Sequence, residues 1–419
     1  MQQLKKTARR AVVVGASPSG LAAALRLSKK AGNEIQVVII DERGEYLLEH
    51  SLYDYLTGRR GSLEVAVPLQ IVLDGTGIDF ARERVLGIDF GARKVITPGG
   101  LFGYDYLVLA PSSVADYAGV EGAERYAFPL VTAEDADKLR KHVVDLFDRA
   151  AREKDAERRR AMLTVAICGK GIAGAELAIS VAEWLDELRL SHWVPRDEIE
   201  VVYIEQSGKD GGKLAGGIGE LFERAFRERG VRHLSGDRAV KVAPGRLHLK
   251  SGVIIDSMTV AWKADVKPHP LIEKSGLALD ERGRAIVDHF MRTDRSGVYA
   301  TGDGAAPLDP NGRPAKPVGA LSGRGQGILV ARDVWSSVRG RATASRREAR
   351  LGRIVKLGEK HPLMITKGGK ILPPPLSKLV ERARHFGSLY ALGGLKFILR
   401  HREWAELERS LQEGERDVA

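Results

Sequence analysis

The run Gly15-Ala16-Ser17-Pro18-Ser19-Gly20 follows Ala11-Val12-Val13-Val14, and Gly169-Lys170-Gly171-Ile172-Ala173-Gly174 follows Val165-Ala166-Ile167-Cys168. A glycine-rich turn between a buried strand and an Ala/Leu-rich helix can cradle a pyrophosphate. No Cβ blocks the approach, and N–H groups at the positive end of the helix face the phosphates. The strand after each helix ends in an acid, Ile35 to Asp41 and Ile199 to Glu205, where a carboxylate accepts hydrogen bonds from ribose hydroxyls. Singly, either turn is an ordinary tight connection. Two turns, each with its acid, point to two dinucleotides on one chain and to electron transfer between them. Both copies depart from the pattern. Ser17 stands where a middle glycine is expected, and Glu205 lies 31 residues beyond Gly174 where about 20 are usual. The polar stretch 189–197 reads as a loop insertion that explains the excess.

The elements that must carry these turns are legible from periodicity. Residues 11 to about 110 read as a nucleotide-binding unit. Its parts are the loop-helix 45–58, alternating segments 79–89 and 94–97 that suit a β-meander, and a returning strand 105–111. Ala133 to Met162 reads as helical and highly charged. No aromatic residues interleave its basic run, so a solvated face is expected and nucleic acid is not. A second unit runs from about 163 to 265. The expected fold class is α/β, with two Rossmann-like nucleotide-binding domains, each with a β-meander, and a C-terminal helical segment. Their expected bounds are 1–115 with 266–340, 116–265, and 341–419.

Bulk properties exclude several classes. A chain of 419 residues holds two or three domains with full cores. No apolar run of 18 residues predicts a membrane span. The N-terminus leads straight into the first strand without room for a cleaved signal, so a cytoplasmic address is expected. Cys168 is the single cysteine and cannot form an intramolecular disulfide; it reads as core filler. No metal site is read. Few Asn (two) and Gln (seven) beside 29% charged residues match the hyperthermophile bias. The net charge of +11 is concentrated: residues 331–419 hold 19 Lys/Arg and 10 Asp/Glu, so the basic character belongs to the C-terminal segment.

A late segment is the most specific motif: Thr293, four residues, then Val298-Tyr299-Ala300-Thr301-Gly302-Asp303. With Leu52-Tyr53-Asp54-Tyr55-Leu56-Thr57-Gly58, Gly174-Ala175-Glu176-Leu177-Ala178 and Trp262-Lys263-Ala264-Asp265-Val266, it makes residues 10–340 resemble the two-dinucleotide flavoprotein oxidoreductases of the pyridine nucleotide-disulfide type. The resemblance is greatest to type II NADH dehydrogenases, with sulfide:quinone oxidoreductases as near relatives. It implies FAD on Gly15, Ser17, Pro18, Gly20, Asp41, Glu42, Val85, Ala110, Pro111, Gly302 and Asp303, with Asp303 on a ribityl hydroxyl. It implies NADH on Gly169, Gly171, Ile172, Gly174, Glu205 and Ala264, with catalytic Glu176 beside the nicotinamide. Electrons would pass from NADH to flavin and on to a quinone. Glu205 should repel a 2′-phosphate and favour NADH over NADPH.

The departures concern the acceptor. The family's Ala-Gln-x-x-x-Gln helix reads Ala320-Leu321-Ser322-Gly323-Arg324-Gly325-Gln326, without either motif glutamine. The glycines of that helix, which starts near Val318, imply close packing on a cofactor or acceptor. His50 stands near the place of a redox cysteine in relatives; it is a candidate proton shuttle, or a histidine packed under the flavin loop. Leu376, Leu379, Val380, Ala383, Phe386, Leu389 and Tyr390, then Leu395, Phe397, Ile398, Leu399 and Trp404, recur at helical spacing beside basic residues. Such helices suit a peripheral membrane contact on the cytoplasmic face, or docking on the body or a homodimer mate. Two alternatives stay open: a soluble NADH-dependent reductase of a protein electron carrier, and a non-catalytic FAD/NAD redox sensor.

Overall fold

The computed structural model describes residues 8–205, 217–308, 311–313, 320–343, 353–358, 361–366 and 370–372, with scattered residues from 375 to 398. Two compact units emerge. One comprises Met1–Leu47, Ala66–Val114 and Lys267–Ala349; the other comprises Leu48–Val65, Ala115–Val266 and Arg350–Ala419. Residues 48–65, which chain order would keep with the first unit, pack in the second.

The first unit is built on a five-stranded sheet in the order Val298–Ala300, Tyr106–Leu109, Arg9–Val14, Ile35–Ile40, Ile78–Ala81. Every pairing is parallel. Parallel strands covered on both faces need continuous apolar runs, and Ala11 to Val14 and Val37 to Ile40 are buried without interruption. The register aligns the strand ends: Val14 faces Ile40 on one side and Leu109 on the other, and Leu109 faces Ala300. The chain winds outward from the central strand, then crosses to its other side at Tyr106–Leu109. In such sheets ligands bind at the carboxyl edge where the winding reverses. Gly87–Asp89, Lys94–Thr97 and Gly100–Gly103 form an antiparallel meander, so of the stretch 79–89 expected there only its end belongs to it, while Ile78–Ala81 joins the parallel sheet.

The second unit repeats the plan. Its sheet runs Phe128–Pro129, Thr259–Lys263, Thr164–Gly169, Glu200–Glu205, Val231–Ser235, again all parallel. Ala166, Cys168, Val202, Ile204 and Trp262 from this sheet pack on Val242, Leu247, Leu249 and Ile255 of its antiparallel meander. Burial pushes the Cys168 thiol up to about 12, so the lone cysteine is inert core filler.

Local structure corrects two expectations and sharpens a third. The stretch 189–197 is not a loop throughout: the helix Gly171–His192 absorbs its first four residues, and the turn Arg196–Glu198 its last two. Arg189 pairs with Asp186 at 2.6 Å, and basic residues in a last helical turn suit the negative end of the dipole. The charged segment 133–162 is helical as expected, in two pieces, Ala133–Ala150 and Ala156–Leu163. Asp155 starts the second by accepting from the N–H groups of Glu157 and Arg158 at 2.9 and 3.0 Å. The C-terminal segment contains an antiparallel hairpin, Arg353–Lys356 with Pro362–Ile365. Of its apolar stripe, Leu376 and Leu379 are exposed while Leu389 and Phe397 are buried. Val380, Ala383, Phe386, Tyr390, Leu395, Leu399 and Trp404 lie outside the described residues, as does Val318. Among the described residues no helix is long and apolar enough to cross a membrane.

Candidate functional site

The first glycine turn closes on the strand beside it. Gly15 sits at φ +94°, and a Cβ there would lie 2.3 Å from the Ala110 carbonyl oxygen. Only glycine lets Ala110-Pro111 approach so closely. Asp41 ends the neighbouring strand and stitches the turn together. Its Oδ2 accepts from the Ala16 N–H at 2.9 Å, and its Oδ1 accepts from the N–H groups of Arg43 and Gly44. A carboxylate has about four acceptor positions, so one on Oδ2 remains for a ribose hydroxyl. Ser17 fits because its hydroxyl turns back to cap its own helix Pro18–Ala31, accepting from Gly20 at 3.4 Å.

The late motif arrives at the same edge. The Thr301 hydroxyl donates to Ser19 Oγ at 2.9 Å, and the Gly302 N–H donates to Gln326 Oε1 at 2.7 Å. The Ser113 hydroxyl donates to Asp303 Oδ2 at 2.8 Å, leaving this exposed carboxylate oriented with capacity to spare. Gly15, Ser17, Pro18, Gly20, Asp41, Ala110, Pro111, Gly302 and Asp303 are thus brought to one carboxyl edge. Glu42 is exposed next to Asp41, and Val85 is half-buried on the connector after Ile78–Ala81. The glycine-rich helix Ala320–Val338 packs on protein: a Cβ on Gly327 would lie 2.0 Å from the Ser19 carbonyl oxygen. The expectation that these glycines serve a cofactor or acceptor is corrected to helix packing at Gly327.

The second turn is tighter still. A Cβ on Gly169 or Gly174 would come within 2.7 Å of the other's Cα, so this glycine pair lets the helix start press on the strand end. Lys170 precedes the helix without a side-chain cap, unlike Ser17, which leaves its first N–H groups, including those of Gly171 and Ile172, for an anion. Gly169 is in register with Glu205 on one side and Lys263 on the other. Glu205 is 2% exposed, and its Oε1 has no hydrogen-bond partner among the described residues. An orphaned buried carboxylate oxygen at this strand end suits a ribose hydroxyl.

Glu176 lies one turn into the helix, where its Oε1 accepts from the Lys356 backbone N–H at 2.6 Å. Lys356 Nζ in turn meets Asp54 at 2.9 Å. The Tyr53 hydroxyl donates to the Ala173 carbonyl at 3.0 Å; burial and the Glu176 charge hold this phenol well above its ordinary range. Lys263 Nζ donates to the Leu130 carbonyl at 2.7 Å and stands 6.0 Å from the Tyr53 ring centre. Burial lowers its pKa. Ala264 follows, half-buried, and His50 is half-buried on the turn Glu49–Ser51. Lys263, Tyr53 and Lys356 went unassigned in sequence. A lysine ending a core strand was a usable signal for the first; the other two depend on distant partners.

The model of the pyridine nucleotide-disulphide oxidoreductase family matches residues 9–326. A type II NADH:quinone oxidoreductase of Staphylococcus aureus is 23% identical over 401 residues, covering 92% of this chain and 96% of that one. An alternative NAD(P)H-ubiquinone oxidoreductase of Arabidopsis thaliana is 27% identical, covering 83% of this chain and 71% of the relative. Among solved structures, NDH2 from Plasmodium falciparum in complex with NADH superposes with a TM-score of 0.81 at 14% identity, covering 94% and 98% of the two chains. The sulfide:quinone oxidoreductase of Aquifex aeolicus gives a TM-score of 0.73 at 18% identity, covering 92% and 91%.

Proposed function

Starting from a chain that belongs to the pyridine nucleotide-disulphide oxidoreductase family, we propose that it oxidises NADH through bound FAD and delivers the electrons to a quinone. One observation carries this reading: each unit sets a glycine turn at the carboxyl edge of the central strand of a five-stranded parallel sheet, with an acid ending the next strand. When bound, FAD and NADH supply the two-electron chemistry, the reduced pyridine donating and the isoalloxazine accepting and handing on.

The chain's own residues bind and orient. In the first unit the backbone of Gly15, Ser17, Pro18 and Gly20 would hold the FAD pyrophosphate. Asp41 and Glu42 would serve the ribose, Val85 with Ala110 and Pro111 would line the flavin, and Gly302 with Asp303 would hold the ribityl chain. In the second, Gly169, Gly171, Ile172 and Gly174 would take the NADH pyrophosphate, Glu205 the adenosine ribose, and Ala264 a place beside the nicotinamide. Glu176, its carboxylate held by the Lys356 N–H, would orient that ring. His50 would move the proton that accompanies quinone reduction. Exposed Leu376 and Leu379 support peripheral contact of the basic C-terminal segment with the membrane that holds the quinone.

Gln326 favours a second reading. Its Oε1 is engaged by the Gly302 N–H, and the family's quinone-site glutamines are absent from its helix, which suits a soluble reductase of a protein carrier. The test is NADH oxidation with a quinone in liposomes against a small iron–sulfur protein in solution. Turnover with the quinone together with co-sedimentation supports the first reading; turnover with the carrier alone replaces it.

A further inference from the structure

Glu205 has an unusual neighbour for a carboxylate expected at a nucleotide ribose. Its side chain is 3% exposed, and one oxygen lies 3.4 Å from His233 Nε2, within ion-pair range but without hydrogen-bond geometry. The other oxygen has no partner among the described residues. His233 sits on the adjacent strand Val231–Ser235, and its Nδ1 stands 2.6 Å from Glu223 Oε1 on the helix Gly217–Arg229. The imidazole is clamped flat: it stacks on Tyr203 with centroids 5.1 Å apart and planes at 15°, and Phe226 tilts against it at 5.2 Å.

We propose that His233 makes the choice between NADH and NADPH depend on pH, by neutralising or baring the Glu205 carboxylate at the second nucleotide site. The proposal rests on the reading of Glu205 as the ribose acceptor. Among the described residues, the charged groups facing the imidazole are Glu205 from its sheet neighbour and Glu223 from the helix above. Tyr203 also faces it, but burial and then Glu205 push that phenol far up, so it stays neutral. Arg232, next along the strand, pairs with Glu200 instead.

The charge states decide the outcome. With imidazolium between two carboxylates the cluster carries one net negative charge; with neutral imidazole it carries two. The free Glu205 oxygen accepts a ribose 2′-hydroxyl in either state. A 2′-phosphate meets stronger repulsion from the doubly negative cluster. Burial alone would lower the His233 pKa, but the close Glu205 carboxylate and the hydrogen bond and charge of Glu223 outweigh it and raise the pKa above the ordinary histidine value. Discrimination against NADPH therefore grows as pH rises through the histidine titration and weakens below it. His233 acts through Glu205 and is a positioning residue.

The test measures binding of NAD+ and NADP+ to the holoprotein from about pH 6 to about pH 9, bracketing a raised histidine, by calorimetry and without turnover. The ratio of NADP+ to NAD+ dissociation constants is expected to rise roughly tenfold across that range. His233→Gln should hold the ratio near its high-pH level throughout, and Glu223→Gln should move the midpoint to lower pH. The 2′-phosphate's own ionisation near pH 6 is common to all three proteins and cancels between them. A wild-type profile unchanged in both variants overturns the proposal while leaving Glu205 in place. A ratio near one at every pH, or one unaltered by Glu205→Gln, overturns the ribose reading itself.

Discussion

Asp41 and Glu205 end corresponding strands, yet their settings differ. Asp41 spends three of its acceptor positions on backbone N–H groups of its own loop, so part of its work is to hold the turn. Among the described residues Glu205 makes no such bond; it is buried with one oxygen unpartnered there and a histidine at 3.4 Å. The first acid is largely committed to its own loop, and the proposed function gives the second the task of recognition. Asp303 belongs with the second type: exposed, and oriented by the Ser113 hydroxyl. Asp303→Ala removes a charged acceptor without touching the core. FAD affinity should fall about tenfold to a hundredfold, the usual worth of a hydrogen bond to a charged group. Flavin retained on a desalting column at the wild-type ratio would remove Asp303 from the site.

Among the elements, the helix Ala320–Val338 bears most directly on the first turn, because it presses on Ser19 through Gly327 and engages Gly302 through Gln326. Gly327→Ala sets a methyl 2.0 Å from a carbonyl oxygen, so the helix must move. It should lower unfolding stability by about 1–3 kcal/mol, read as a shift in the denaturant midpoint, and reduce flavin content with it. An unshifted midpoint would show that the two helices are not in this contact. The glycine turns and their strands were readable in sequence because their constraints are local: a strand's apolar run, a residue that must lack a Cβ, an acid at a strand end. The continuation of Gly171–His192 was obscured by polar residues that serve equally as a loop or as a last helical turn. The Lys356 bond to Glu176 and the His233 contact with Glu205 join residues far apart in the chain. No local pattern encodes a partner 180 residues away.

For the whole molecule, the same order of four parallel strands occurs twice, each time around a strand that ends in a glycine turn and each time with a fifth strand at the edge, the last of its sheet along the chain in one unit and the first in the other; this duplication is what makes a two-nucleotide oxidoreductase of it. The charge follows another division. The excess of basic residues lies in 331–419, as expected if that segment meets an acidic membrane surface or carrier. The most direct measurement is anaerobic mixing of the purified holoprotein with stoichiometric NADH while its visible spectrum is followed. A yellow, FAD-containing protein whose flavin band is lost within the mixing experiment, and restored by adding a quinone, is the predicted result. A protein that is colourless and takes up no FAD, or whose flavin band is untouched by NADH, would contradict it.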